Sequence, residues 1–189
     1  MKIPQAPKQE NPVMIDRALA YIQDELINKL GWLNHAFGRV QRLVTKRDGR
    51  NYFYPGVYVG GNEYINVLPG QGLGNRTFFV VNDPQTINFN PRRFNLISLP
   101  CALILWYDLT SIYPDTQERN TEEIKRQLLR TVTEMTMPNM TRFEPARIYE
   151  QAENIFKEFS LQEIDTQYLM SPYAGIRIEG VLKFMEDCK

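Results

Sequence analysis

The 189-residue chain carries 22 Lys and Arg against 22 Asp and Glu, a formal net charge of +0, and 43% of it is hydrophobic. This length suits one domain with a sizeable core, and the apolar and aromatic content argues against disorder. No apolar run approaches the roughly 18 residues that span a bilayer, the N-terminus lacks the apolar stretch of a secretory signal, and two cysteines, Cys101 and Cys188, are too few for a disulfide framework.

The charge is unevenly spread. Residues 31–100 hold eight Lys/Arg against three Asp/Glu, a balance of +5, while residues 101–189 hold ten against fifteen, a balance of −5. One reading is a chance of composition. The sharper one is that copies of the chain meet basic side to acidic side, which sets orientation and association rate more than affinity.

The first eleven residues, polar and Pro-rich, read as a flexible arm, and residues 12–189 as a single α+β domain. Asn11-Pro12 is a favourable helix start. Ile15, Ala18, Leu19, Ile22, Leu26, Leu30 and Leu33 then recur at helical spacing, with Gly31 placed to end or kink the helix.

After this the period changes. Phe37 to Thr45 suits a strand moderately, and Asp48-Gly49 marks a turn within the loop tip Lys46–Arg50. Tyr52 to Val59 is an aromatic, β-prone run interrupted by Pro55-Gly56. Tyr64 to Leu68 and Thr77 to Val81 read as strands either side of the Gly70–Asn75 loop. Asn82 to Asn95 reads as one long loop, a feature often functional in a compact domain. Leu96 to Ile112 is the most apolar run and predicts a central strand buried on both faces, with Pro100 at its beginning or at a bulge.

A second helix is expected from Asn120, with Glu123 completing something close to a capping box and Ile124, Leu128, Val132 and Met135 forming its core stripe up to Pro138. A third is expected from Pro145, carrying Ile148, Ala152, Ile155, Phe156 and Phe159. The last strand alternates Ile176, Ile178, Leu182 and Phe184 with Arg177, Glu179 and Lys183, the pattern of an antiparallel sheet with one packed and one wet face. The fold expected is therefore α+β, a mainly antiparallel sheet packed with about three amphipathic helices.

Motifs that would carry chemistry are thin. His35 is the only histidine and has no Cys or Asp pair at ligand spacing, so no metal site and no catalytic role is expected of it. The glycines at 70, 72 and 74 are spaced G-x-G-x-G before a strand, whereas a dinucleotide site needs G-x-G-x-x-G before a helix. Ser98, Ser111, Ser160 and Ser171 lie in no nucleophile elbow, and the carboxylates are scattered. No enzyme and no cofactor is expected. Arg39, Arg42, Lys46, Arg47 and Arg50, followed by Tyr52, Phe53, Tyr54 and Tyr58, form a basic-aromatic segment, 39–58, able to meet phosphates and stack bases, although such aromatics are more often core.

The element order resembles that of the tail-terminator and neck (tail-completion) proteins of tailed bacteriophages. Three pieces carry the similarity: the opening helix Pro12 to Leu30; the block LILWYDLTSIYPDTQERNTEEIKRQLLRTV; and the closing PYAGIRIEGVLKF preceded by RIYEQAENIFKEF. With the strands between them they span most of residues 12–184. These families share no diagnostic catalytic motif, so no functional residue is carried over. The loop between Asn82 and Asn95 exceeds the plain pattern. The resemblance implies a structural virion protein, assembled in the bacterial cytoplasm into a homo-oligomeric ring that joins portal or connector to tail, with no membrane partner. In that setting the expected partner-binding residues are the loop arginines Arg47, Arg50, Arg76, Arg92 and Arg93, because a guanidinium fork binds carboxylates in a bidentate way. The alternative is a nucleic-acid-binding accessory protein using segment 39–58.

Overall fold

The computed structural model describes residues 11–88, 94–114, 120–135 and 138–187. Helix α1 (Met14–Lys29) buries Ile15, Ala18, Leu19, Ile22 and Leu26, the stripe its spacing predicts. Its N-cap is Val13, so Asn11-Pro12 precede the helix instead of opening it. The strands are β1 (His35–Arg39), β2 (Gln41–Arg47), β3 (Arg50–Gly60), β4 (Glu63–Asn66), β5 (Arg76–Val81), β6 (Thr86–Asn88) and β7 (Phe94–Asp108). The single turn α2 (Leu109–Ile112), α3 (Thr121–Glu134), β8 (Arg142–Tyr149), the single turn α4 (Ala152–Ile155) and β9 (Tyr173–Asp187) complete the chain.

The strands form two sheets. The larger runs β1-β5-β7-β9-β8, with β6 also paired to β7; the smaller runs β2-β3-β4. Among the described residues β1–β5 is the parallel pair and the other pairings are antiparallel. The fold is thus mixed α+β with mostly antiparallel sheets.

Strand β7 organises the core because both its faces are apolar. Ile97, Leu99, Cys101, Leu103, Leu105 and Tyr107 point to one side, where they pack with α1 and with Ile124, Leu128 and Val132 of α3. Ala102, Ile104 and Trp106 point to the other, against Val57 of β3, Val67, Leu68, Leu73 and Ile155, Phe156 and Phe159. The large sheet therefore carries the two long helices on one face. The small sheet and residues 151–164 cover the other. Burial of this apolar surface is the main favourable term in folding.

Several expectations are corrected. Residues 142–149 form strand β8, not the start of a third helix, and helix there is limited to Ala152–Ile155. The apparent helical stripe is an accident of spacing: Ile148 is 38% exposed on the edge strand, whereas Ile155, Phe156 and Phe159 are buried by the turns that follow. Pro145 is tolerated because β8 is an edge and its register shifts between Pro145 and Arg147. The wet face expected of β9 is partly dry, since Arg177 is fully buried beneath the 151–164 segment. The capping box of α3 does not form; Asn120 makes no side-chain cap and Glu123 binds Arg126 and Gln127 instead.

Two prolines sit where strands hide their missing N–H. Pro100 lies inside β7, neither at its beginning nor at a shift against β9. Its carbonyl accepts from Asn82 N at 2.9 Å, at the junction where β7 exchanges β6 for β5 as its neighbour. Pro55 does not interrupt β3; its carbonyl accepts from Val67 N, so the absent donor faces the end of β4 and the β2–β3 ladder loses nothing. The expected loop tip at 46–50 is a two-residue turn, and the expected loop at 82–95 contains β6.

Asp48 and Gly49 close that turn with φ of 49° and 75°, joining the Arg47–Arg50 pair. Positive φ at both central residues is the turn that follows the natural twist of a hairpin. Gly49→Ala is therefore expected to lower stability by about 1 kcal/mol, a Tm decrease of about 2–4 °C in a melt followed by circular dichroism. An unchanged Tm contradicts the turn.

Candidate functional site

The hairpin β2–β3 gathers cations on both of its faces. Strand alternation and the pairing register put Arg42 and Lys46 on one face and Arg47 and Arg50 on the other. All four are exposed. Arg47 and Arg50 are direct cross-strand partners, an arrangement of like charges that costs stability. Arg47 is partly offset by Glu163, whose Oε1 lies 3.4 Å away. Asp48, in the turn between them, is the single carboxylate of residues 41–52.

The ring of Phe53 orders one of these cations. The Arg42 guanidinium lies 3.5 Å from the Phe53 ring centroid, and its Nε–H donates to the Glu158 carbonyl at 2.8 Å. The hairpin is also fastened to the chain beneath it: Phe53 N donates to Ser160 Oγ at 2.9 Å and Ser160 N donates to the Phe53 carbonyl at 2.8 Å. The Arg47–Glu163 pair closes part of the contrast between the basic and acidic halves within the chain. Arg39 is separate from the patch, paired with Asp16 at 2.9 Å.

Among the described residues strand β2 is an edge, with β3 on one side and no strand on the other. Its Val44 is 55% exposed between Arg42 and Lys46. Sequence reading missed this residue. The available signal was the contiguous pair Leu43-Val44: successive strand residues face opposite ways, so two apolar neighbours in a strand with one packed face leave one of them outside. Tyr58 and Tyr64 form a second exposed apolar spot at the β3–β4 end, with ring centroids 5.3 Å apart.

Arg76 does not belong to a contact surface. It is 3% exposed, and its guanidinium donates to the carbonyls of Val67 (2.8 Å), Leu68 (2.5 Å) and Gly74 (2.7 Å). Burial lowers its pKa to about 10, still far above neutrality, so the cation persists and clamps the 67–75 loop. Asn75 beside it is a second hub. It accepts from Asp108 N, donates to Ser111 Oγ and to the Trp32 carbonyl, and its own N–H is held by Asn34 Oδ1 at 2.7 Å. His35 stacks on Phe37 and is half-buried, and desolvation followed by the Arg76 charge lowers its pKa. These groups hold the loop against the sheet. Arg92 and Arg93 lie outside the described residues.

Other ionisable groups are likewise spent on structure. Arg177 is completely buried and bonds both oxygens of Glu158, the Ile155 carbonyl and Glu179. Cys101 is buried in the core, where desolvation pushes its thiol up to about 12 and leaves no thiolate to react. Among the described residues no group of three or more His, Cys, Asp or Glu could hold a metal ion, and no helix is long and apolar enough to cross a membrane.

No family model matches the chain, and no curated protein matches it by sequence.

Proposed function

We propose that this protein is a structural component of a tailed-bacteriophage virion, one protomer of a ring at the neck or tail end that joins portal or connector to tail. Such a protein is made in the host cytoplasm and carried in the particle, and this reading assigns it no reaction. Support comes from the resemblance carried by the opening helix, the strand-to-helix block and the closing strand, and from the opposite balance of the two chain halves; the segment before the closing strand, β8 and one helical turn, adds nothing to it.

The observation that carries the reading is the open edge of β2, with Val44 exposed between two cations. An unpaired edge invites another strand, and a head-to-tail contact repeated between identical copies closes into a ring when the rotation permits. Arg42–Pro55 and Val44–Phe53 alternate with the hydrogen-bonded pairs that flank them, so the N–H groups of residues 42, 44 and 46 point away from β3.

The outward direction of the residue 44 N–H supplies a test. Proline at an edge position of this kind removes no ladder bond of its own protomer. Val44→Pro is therefore expected to leave the isolated protein folded, with an unchanged circular dichroism spectrum, while phage carrying it accumulate heads and tails that are not joined. Normal yields of infectious particles from this variant would overturn the reading of β2 as the contact. Absence of the protein from those particles would overturn the virion role itself.

A further inference from the structure

We infer that the β2–β3 hairpin is a nucleic-acid contact that binds the phosphate backbone of duplex DNA without regard to sequence. The contact does not require a ring; it uses the side-chain faces and tip of the hairpin whose open β2 edge is proposed to meet a neighbouring copy.

Three features of the hairpin point to a polyanion. First, Arg47 and Arg50 face each other directly across the strand pair. Two cations held roughly 5.5 Å apart at the Cα atoms repel each other in the free protein, and a shared anion relieves the repulsion. Second, the opposite face adds Arg42 and Lys46, so cations flank the ribbon on both sides, opposed by Asp48 in the turn and by Glu163, 3.4 Å from Arg47. Third, Arg42 is held in place by the Phe53 ring and by one bond from Nε to Glu158. Its terminal N–H groups remain for an anion, and the ordering of this side chain has already been met.

Shape favours DNA over an acidic protein surface. The tip of the hairpin, beyond the Phe53–Ser160 bonds and the β3–β4 pairing, is two-stranded, a width that the major groove admits. Cations on both faces of a ribbon entering by its tip address the phosphate strands on either side of the groove, whereas a protein patch would meet one face. The tight Asp48-Gly49 turn keeps the tip narrow. Four of the hairpin's exposed side chains are cations suited to phosphates, so the contact rests on charge and spacing.

Phosphate contacts of this kind have a quantitative signature in salt. Four cations neutralising four phosphates give a slope of log affinity against log salt of about −3.6, or an affinity loss of about 150-fold between 50 and 200 mM. The experiment measures binding of the full chain to a fluorescent duplex of about 30 base pairs across that salt range. Three proteins are compared: the wild type, Arg47→Gln/Arg50→Gln, and Arg126→Gln/Arg130→Gln on the exposed side of α3, across the large sheet from the hairpin. The first pair of substitutions should reduce the slope to about −1.8, a loss of about 12-fold over the same range. The α3 pair should leave the slope of the wild type unchanged. Circular dichroism confirms that both variants are folded, which is expected because all four positions are at the surface. No binding by the wild type at about 50 mM salt, a slope insensitive to the hairpin substitutions, or an equal loss in the α3 variant would each overturn the proposal.

Discussion

Arg177→Ala is expected to lower stability at neutral pH by about 4 kcal/mol, which for a chain of this size is a Tm decrease of about 8–16 °C. Arg177 has no exposed side-chain surface, and its guanidinium is the donor for both oxygens of Glu158, for the Ile155 carbonyl and for Glu179. Truncation leaves Glu158 and the Ile155 carbonyl in a partly dry site without their cation, Glu179 keeping Lys157, and this is the costly way to break a buried pair. It also removes one tie between the 151–164 segment and β9, leaving the Lys157–Glu179 pair and the packing of Ile155, Phe156 and Phe159 to hold it. Arg177→Met is the informative companion: it restores much of the volume without the charge, so a loss close to that of alanine assigns the effect to electrostatics and not to a cavity. A Tm within about 2 °C of wild type for Arg177→Ala contradicts the account.

The same network sets an acid limb. Burial pushes the Glu179 carboxyl up, but the bond from Lys157 and the Arg177 charge outweigh it, and its pKa is lowered from the ordinary 4.5. A carboxyl depressed in the folded state contributes stability that is fully present above its ordinary value and is lost as pH falls through the depressed one. Urea midpoints should therefore fall as pH drops below about 4.5 in the wild type and fall less steeply in Arg177→Ala.

Gly180→Ala is expected to cost about 3 kcal/mol, or about 6–12 °C in Tm. Gly180 lies opposite Cys101 on β7 and Pro145 on β8, in the middle of a strand paired on both sides. The bulge in β8 brings the Glu144 carbonyl oxygen into the space a Cβ would occupy, and Phe143 Cζ would be 2.8 Å from it. A backbone oxygen cannot swing aside as a side chain can. Relief requires β8 to move outward, which loosens its ladder. A thermal melt decides this, and a Tm equal to wild type would show that β8 does not approach β9 as closely as described.

These two residues also mark where the sequence was legible and where it was not. The strands of the core were readable because periodicity reports burial directly: the contiguous Leu103-Ile104-Leu105-Trp106 required two covered faces, and Ile176, Ile178, Leu182 and Phe184 required one. The stripes of α1 and α3 and the Asp48-Gly49 turn followed from equally local rules. Strand β8 was not readable, because Ile148, Ile155 and Phe159 imitate a helical period across a change of element. Arg76 and Arg177 were misread for a related reason. A charged residue beside a loop or on an alternating strand ordinarily faces water. What buries these two is a set of carbonyls and carboxylates supplied by residues 67–74 and 155–158, and no local pattern announces a distant acceptor. Of the five arginines expected at a contact surface, the structure keeps Arg47 and Arg50 together at one exposed tip and removes Arg76 to the interior.

The most direct test of the account is cryo-electron microscopy of purified phage particles from a host carrying this gene, focused on the neck and tail end. The account predicts a closed ring built from copies of this chain, with β2 of each protomer at the contact with its neighbour. Intact, infectious particles in which no copy of the chain is present would contradict it.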